Sequence, residues 1–322
     1  MAILAQLMMN AASVALSIPQ TFPSGRADPA YIRRFARRAE ELGFHSLWVQ
    51  ESIIGRSPQL DSIELLTFAA ACTERIGLGS AVLLTALRSP VPLAKTLVTL
   101  DQLSAGRLIA AIGLGNPSPT STAFGVAPET RLARFLEGLQ IMKALWTEPS
   151  VTYEGRFWQL KDIAMEPKPV QKPHPPIWFG VHAPAALKRT VKYADGFIGA
   201  GGTSTEQFAG EAVELRRLLA EAGRDPAAFP LAKRVYVAVD SNKERAGQRL
   251  AERLGGAYGG NQGGQPVHER VAVWGPAAEC TEKLRQVQAA GAGLVLLTPL
   301  FDEAEQMEVI AQEIKPHLET AA

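Results

Sequence analysis

The sequence predicts an α/β fold, a parallel (β/α)8 TIM barrel with insertions after its strands. Strand and helix patterns alternate along the whole chain, and eight strand–helix units can be counted. The strand segments are continuous apolar runs, which is typical of a parallel sheet covered on both faces. Eight units fit a closed barrel better than an open doubly wound sheet. No GxGxxG motif opens a helix after the first strand, which weighs against a dinucleotide-binding fold.

The first unit begins after residues 1–13, which we interpret as an N-terminal extension. The first strand is predicted over Val14–Gln20. A helix follows, because Asp28 suits the N-cap and Pro29 the first helical position. Apolar residues then recur at helical spacing until Gly43, which ends the helix.

The other seven units follow the same pattern. Their strands are predicted over Phe44–Val49, Ile76–Leu84, Arg107–Ile112, Ile177–Gly180, Gly196–Ala200, Leu231–Val239 and Gly293–Leu297. Eight helices are predicted to begin near Asp61, Pro90, Thr130, Pro184, Thr205, Asn242, Pro276 and Asp302. Two of them, near Asn242 and Pro276, lie between the last two strands.

We treat the 322 residues as one domain, since a barrel of this kind uses about 250 and the surplus falls in insertions. Residues 116–127 form a loop rich in proline, serine and threonine. Residues 149–176 contain a predicted hairpin and a proline-rich stretch. Residues 255–264 are so rich in glycine that we expect mobility, with closure over substrate as one possible role. We place the first and third insertions after strands, where the active-site loops of this fold lie.

Composition excludes several classes of function. The formal net charge of +1 does not indicate nucleic acid or an anionic membrane as a partner. No apolar run reaches the roughly 18 residues of a membrane span, and the first residues lack the basic region of a secretory signal. Two cysteines without a CxxC spacing predict neither a disulfide framework nor a zinc knuckle. We therefore expect a cytoplasmic protein.

The usual hydrolase and kinase motifs are missing from the sequence. Its five histidines form no HxH or HExxH pattern, so no metal site is expected. GxSxG and P-loop motifs are also absent. The chemistry is therefore predicted to be carried by a bound cofactor.

The end of the second strand supplies a candidate acid. Glu51 follows Trp48 and Gln50 and is expected to point into the barrel mouth, where a carboxylate can take or give a proton. A solvated loop carboxylate is the alternative. Trp48, Gln50, Phe22 and Phe124 are candidates for the substrate wall, although core packing explains the aromatic ones equally well.

Small residues at two further strand ends can admit a ligand. Ser80, Ala81 and Val82 let something flat approach the third strand, or they reflect a bulge or tight packing. Glycines after the fourth strand can leave backbone N–H groups free to meet a ligand. The residues of that segment are Gly113, Leu114, Gly115 and Asn116.

The fifth strand ends at the N-terminus of a helix, which is a natural phosphate site because of its free N–H groups and its dipole. The residues concerned are Gly180, Val181, His182 and Ala183. His182 then lies beside the anion, or it is simply structural. Gly201 and Gly202 after the next strand can complete the site.

Taken together, these segments resemble the luciferase-like barrel superfamily of flavin and deazaflavin oxidoreductases. The matching stretches are AEELGFHSLWVQES, RIGLGSAVLLTALRSPVPLAKTLVTLDQLSAGRLIAAIGLGN, GLQIMKALWTEPSVTYEGRFW, PKPVQKPHPPIWFG and KYADGFIGAGG. They cover roughly residues 14–202, and TLDQLSAGR followed by a GxG strand end is the most specific.

The resemblance implies a phosphate-bearing isoalloxazine or deazaflavin in the barrel mouth. It implies a non-proline cis peptide between Ala81 and Val82, ring contacts from the Gly113–Asn116 segment, and phosphate contacts from the His182 segment with Gly201 and Gly202. Many deazaflavin members carry an Asp-His pair after the second strand, where this chain has Glu51-Ser52. The acid is kept and the histidine is lost, which weakens any transfer of a specific sugar-phosphate or alcohol dehydrogenase activity.

The leading hypothesis is an oxidoreductase that transfers hydride between coenzyme F420 and a small hydrophobic organic substrate, with Glu51 or His182 handling the proton. The alternative is an FMN-dependent monooxygenase that uses O2 and reduced flavin from a partner reductase. A third hypothesis is a flavin-binding barrel without catalysis. The resemblance also implies a homodimer.

Overall fold

The structure, a computed structural model, describes residues 13–115, 119–258, 261–262 and 265–319. Its strands are β1 (Ser13–Ser17), β2 (Ser46–Val49), β3 (Gly77–Ser80), β4 (Leu108–Ile112), β5 (Val151–Glu154), β6 (Gln159–Ile163), β7 (Ile177–Phe179), β8 (Gly196–Gly199), β9 (Leu231–Val239), β10 (Asn261–Gln262), β11 (Gln265–Pro266), β12 (Ala272–Gly275) and β13 (Leu294–Pro299). Its α-helices are α1 (Pro29–Glu41), α2 (Ser62–Cys72), α3 (Pro90–Leu103), α4 (Arg131–Thr147), α5 (Pro184–Tyr193), α6 (Thr205–Glu221), α7 (Lys243–Tyr258), α8 (Val267–Val271), α9 (Ala277–Ala289), α10 (Glu303–Val309) and α11 (Lys315–Glu319).

Eight parallel strands close into a barrel. The ring runs β1-β2-β3-β4-β7-β8-β9-β13 and closes where β13 pairs with β1. All eight overlap the predicted strands, and β9 has the predicted bounds. The predicted (β/α)8 barrel is therefore confirmed. Four strands (β1, β3, β7 and β8) end earlier than predicted, because the residues at their carboxyl ends leave the ladder and enter the loops of the mouth, whereas β2 and β4 begin later than predicted.

Local sequence signals set the helix ends. The Asp28 carboxylate accepts a hydrogen bond from the Tyr31 N–H at 3.0 Å, and Asp61 caps α2 through the Ile63 N–H at 2.9 Å. Gly43 ends the first helical segment with a φ of +71°, a conformation that costs glycine little. Among the helices that the structure describes, none is long and apolar enough to cross a membrane.

Two tryptophans fill the inside of the barrel below its mouth. The Trp48 and Trp178 rings lie 5.6 Å apart, and both side chains are almost completely buried. A Cβ at Gly79 would collide with the Trp48 ring, and one at Gly196 would lie 2.5 Å from Trp178 Nε1. The flat group that lies against Gly79 of the third strand is therefore Trp48. Trp48 packs in the core, so its prediction as a substrate contact is wrong.

The insertions differ in how well the sequence described them. The hairpin predicted within residues 149–176 is present as β5 and β6. The first strand already includes Ser13, and residues 1–12 of the predicted extension lie outside the described residues. Residues 116–118 of the first loop also lie outside them.

The glycine-rich segment follows a helix, not a strand as predicted. Helix α7 continues through Tyr258, and residues 259–260 and 263–264 lie outside the described part, so the predicted mobility is not tested there. The chain then returns through α8 into β12, which pairs with the carboxyl-terminal half of β9 (Tyr236–Val239). This ninth parallel strand was not predicted, and it extends the wall of the mouth on one side.

Candidate active site

Two cavities open at the carboxyl ends of the barrel strands. The first, of about 460 Å³, lies where β3, β7 and β8 end, and β9 contributes to its wall. It is lined by Ala81, Val82, Gly180, His182, Ile198, Gly199, Ala200, Gly201, Gly202, Thr203, Gln207, Arg234 and Arg270. Six of these residues were predicted to bind cofactor: Ala81, Val82, Gly180, His182, Gly201 and Gly202.

One wall of the first cavity is the end of the third strand. The Ala81–Val82 peptide is cis, as the resemblance implied. The Val82 side chain packs against Gly113 and Gly180, where an added Cβ would lie 2.8 Å and 2.5 Å from its methyl groups. The neighbouring Ser80 hydroxyl is buried and donates to the Ala111 carbonyl at 2.7 Å. Ser80 therefore stabilises the wall through this hydrogen bond and does not line the cavity.

The two glycines that border Val82 do not offer free N–H groups. Gly113 donates to the Leu83 carbonyl at 2.9 Å, and Gly180 donates to the Ile112 carbonyl at 3.1 Å. The prediction of free N–H groups is therefore wrong at both positions. Glycine is needed there because Val82 leaves no room for a side chain.

The segment after the fourth strand is held by a helix. The Arg131 guanidinium donates to the carbonyls of Leu114 and Gly115, the latter at 3.1 Å. Gly115 has a φ of +65°, and Leu114 packs against the core. Neither residue is part of the lining of the two cavities. Asn116 lies outside the described residues.

The predicted phosphate end lines the same first cavity. Ala183 is the extended N-cap of α5, and no side chain caps this helix. His182 is exposed on the cavity rim, and the Gly201-Gly202 turn faces the same space, while Val181 packs against the core. The structure thus brings an uncapped helix N-terminus, a histidine and a glycine turn together. This arrangement suits an anion.

A buried lysine, missed by the sequence analysis, supports that turn. Lys233 on β9 is 2% exposed, and its ammonium donates to the Ala200 carbonyl and to the Thr203 carbonyl and hydroxyl, the last two at 2.8 and 3.0 Å. Burial lowers the pKa of Lys233 to about 7, against the opposing attraction of Glu211. Burial raises the pKa of Glu211 to about 7. A lysine inside the apolar run LAKRVYVAV was the signal that could have revealed it.

Two arginines, also missed, flank the first cavity. Arg270 donates to the Gly202 carbonyl at 3.2 Å. Arg234 Nε donates to the Thr298 hydroxyl at 3.2 Å, and its guanidinium lies 4.8 Å from the centre of the Tyr236 ring. Arg234 lines both cavities and so forms their common boundary. These arginines give the mouth a positive charge that the near-zero net charge of the chain does not reveal.

The second cavity, of about 670 Å³, lies beside the first at the ends of β1, β2, β9 and β13. It contains the predicted substrate residues Phe22 and Gln50. The Gln50 amide donates to the Ser17 hydroxyl at 3.0 Å, and the Ser17 and Thr298 hydroxyls are 2.8 Å apart. Polar side chains from four adjacent strands, the fourth being Arg234, thus form the floor of this cavity.

Glu51 does not lie open in the mouth. Its side chain is 1% exposed, it forms an ion pair with Arg88 at 2.5 Å, and it accepts the Leu84 N–H. Arg88 also reaches Asp61 at 3.1 Å. Burial raises the pKa of Glu51, while Arg88 opposes that rise. Glu51 therefore ties the loop after the third strand to the loop after the second.

Phe124 also stands apart from the cavities. It is half-buried at the end of the short 3-10 segment Pro119–Phe124 and is part of neither lining. The described residues contain no group of three or more histidine, cysteine, aspartate or glutamate side chains that could hold a metal ion.

Comparison with known proteins identifies a family to which this chain is similar. The family model described as luciferase-like monooxygenase matches residues 9–293. The F420-dependent glucose-6-phosphate dehydrogenase of Kineococcus radiotolerans is 34% identical over 190 residues, which is 56% of this chain and 55% of that protein. The protein of the same name from Intrasporangium calvum is 26% identical over 321 residues, covering 87% of this chain and 92% of that protein. With the first of these relatives, the match thus spans about half of either protein.

Solved structures share the fold. An F420-dependent secondary alcohol dehydrogenase in complex with an F420–acetone adduct has a TM-score of 0.82 at 19% identity, covering 96% of this chain and 99% of that one. A type II Baeyer–Villiger monooxygenase component from Pseudomonas putida, in complex with FMN, has a TM-score of 0.76 at 19% identity, with coverages of 96% and 99%. At these identities the likeness establishes the barrel and leaves the cofactor open.

Proposed function

Because the chain belongs to the luciferase-like monooxygenase family, we propose that it is an oxidoreductase that transfers hydride between coenzyme F420 and a small organic substrate. The similarity to proteins named F420-dependent glucose-6-phosphate dehydrogenase carries the choice of F420. The sugar phosphate of those relatives is not carried over, since Glu51-Ser52 departs from the Asp-His pair.

The lining of the first cavity supports the binding of a phosphate-bearing deazaflavin. Ala81 and Val82 offer an apolar wall on which a flat ring can lie, and Gly201 and Gly202 line the same cavity without side chains. The uncapped N-terminus of α5 and the Arg270 guanidinium supply positive potential beside that turn. An apolar wall next to a cationic end is what an aromatic ring with a phosphate tail requires.

The protein's own contribution would be binding, orientation and proton handling. When bound, the deazaflavin supplies hydride acceptance and donation. Of the two residues predicted to handle the proton, His182 lies on the rim of the first cavity, whereas Glu51 is buried in its ion pair with Arg88. We therefore assign the proton to His182 and give Glu51 a supporting role in the loop.

Cofactor titration tests the proposal. We expect F420 to bind at micromolar concentration or below, with FMN at least about tenfold weaker, measured by quenching of cofactor fluorescence. Tight binding of FMN with no binding of F420 would refute the proposal in favour of the monooxygenase alternative. F420 binding with no hydride turnover across a substrate panel would favour the non-catalytic alternative.

Two variants separate the proposed roles of the side chains. His182→Gln should lower turnover by about 10²–10⁴-fold with little change in cofactor affinity, as expected for loss of a proton-transferring group. Glu51→Gln should act mainly on thermal stability. The assignment is wrong if Glu51→Gln, still folded and still binding cofactor, loses turnover to the same extent. A partner reductase, a homodimer and a cytoplasmic location stay predictions.

A further inference from the structure

We propose that the second cavity binds an organic carboxylate, with the charged end on Arg234 and an apolar body along the cavity wall. This inference rests on the proposed function, because it assigns a substrate class to the same barrel mouth. It also refines the expectation of a hydrophobic substrate, because a purely apolar molecule would leave the polar floor of the cavity without a partner.

The contacts of Arg234 carry the argument. Among the residues that the structure describes, its guanidinium contacts the Thr298 hydroxyl and the Tyr236 ring, and it forms no ion pair. Only Nε is used in that hydrogen bond, so the terminal amino groups keep their donors. A half-buried cation has lost part of its hydration and is stabilised by an anion. The forked guanidinium matches the two oxygens of a carboxylate.

Apart from Arg253, the other charged groups of the second cavity have partners within the protein. Arg249 pairs with Asp302 at 2.5 Å. Asp28 caps α1 through the Tyr31 N–H, and Glu303 accepts a hydrogen bond from the Tyr31 hydroxyl at 3.3 Å. Arg253 is exposed on the rim. The floor therefore presents one positive charge, on Arg234, and a ligand with one negative charge matches it.

The rest of the floor is neutral and polar. The Ser17 and Thr298 hydroxyls and the Gln50 amide lie in one hydrogen-bonded row that ends at Arg234. Each of these groups can reorient toward a ligand oxygen without changing charge. No acidic side chain belongs to this row, so a carboxylate meets no repulsion at the floor.

Apolar groups surround the floor. Phe22, Pro299, Leu300 and Phe301 line the same cavity. A volume of about 670 Å³ lies within the usual range for small-molecule sites. A sugar phosphate would leave these apolar surfaces poorly used, whereas a carboxylate with an aryl or alkyl body covers them. Since Arg234 also borders the first cavity, the carboxylate would be held where the two cavities meet, with the adjoining carbons close to the proposed cofactor space.

Binding of matched probes tests this inference without relying on turnover. The probes are phenylacetate, 3-phenylpropanoate and 4-phenylbutyrate, each compared with its primary amide by isothermal titration calorimetry. We expect at least one carboxylate to bind about tenfold or more tightly than its amide, with the preference falling as salt is raised. Arg234→Met should remove the preference, and Arg234→Lys should keep part of it because the charge remains without the fork.

The controls locate the effect. Arg253→Gln, on the exposed rim of the same cavity, should change carboxylate affinity by less than about twofold. Fluorescence titration of F420 with the same variants reports on the first cavity separately, so failure of the proposed cofactor and failure of this inference give different results. The inference is overturned if no carboxylate binds, if acids and amides bind alike, if Arg234→Met keeps the preference, or if Arg253→Gln alone abolishes it. Thermal melting of each variant shows whether the fold is retained.

Discussion

Lys233 offers a sharp test of how the barrel supports the proposed phosphate end. Its ammonium donates to the carbonyls of Ala200 and Thr203, the residues on either side of the Gly201-Gly202 turn. Lys233→Met keeps the length and buried volume of the side chain and removes the donor. Each buried carbonyl left without a donor costs about 1–3 kcal/mol, part of which is recovered when the loop moves toward water.

The expected effect on cofactor binding follows from that cost. If about 1.4–2.8 kcal/mol appears in the affinity, the Kd of the phosphorylated cofactor rises about 10–100-fold. The same ring without its phosphate-bearing tail should lose much less affinity in the variant, because the loop faces the proposed phosphate end. Fluorescence titration of FMN against riboflavin, or of F420 against its tail-less deazaflavin, measures the difference. Lys192→Met, an exposed lysine on α5, is the matched control.

The pH dependence gives a second check, because the contribution of Lys233 to stability and its support of the loop should change in opposite directions as pH rises. The pKa of Lys233 is about 7 in the folded protein, below its usual 10.5, so between these values the unfolded chain binds more protons at this site and the contribution of Lys233 to stability rises with pH. The neutral amine has fewer and weaker donors, so support of the loop declines above pH 7. The ratio of variant to wild-type Kd should therefore fall toward one as pH rises. Equal losses for phosphorylated and unphosphorylated ligands, or a ratio independent of pH, would refute the reasoning.

Two further substitutions test the walls of the mouth. Gly180→Ala should destabilise the protein by about 1–3 kcal/mol and weaken cofactor binding, because the new Cβ would lie 2.5 Å from a Val82 methyl group. Thermal melts measure the loss of stability. The control is Gly210→Ala on α6, which has open space around it and should be neutral or slightly stabilising in the same melts. Arg88→Met should cost about 3–5 kcal/mol, since it leaves the Glu51 carboxylate buried without its partner. Chemical denaturation should then show that adding Glu51→Gln to Arg88→Met restores part of that loss, and no restoration would argue against the ion pair.

The candidate site was predictable where the chemistry is local. Segments such as Gly180–Ala183 and Gly201-Gly202 can be recognised from a few neighbouring residues. The first is a strand end beside a helix N-terminus, and the second is a glycine turn. The expectation that Glu51 points into the open mouth was wrong because of a nonlocal contact, since its partner Arg88 is 37 residues away in the chain. Trp48 failed likewise, because inward and outward faces of a short buried strand look alike in sequence.

The sequence by itself determined the barrel and the edge at which its site lies. Alternating apolar runs and capped helices specify eight parallel units, and parallel strands place all their carboxyl ends at one face. Only the tertiary structure decided which polar groups meet there. Arg234 and Thr298 lie 64 residues apart, and Ser17 and Thr298 lie 281 apart, yet they form one row. Closure of the ring brings the first and last strands together, and no local pattern encodes which side chains become neighbours across that seam.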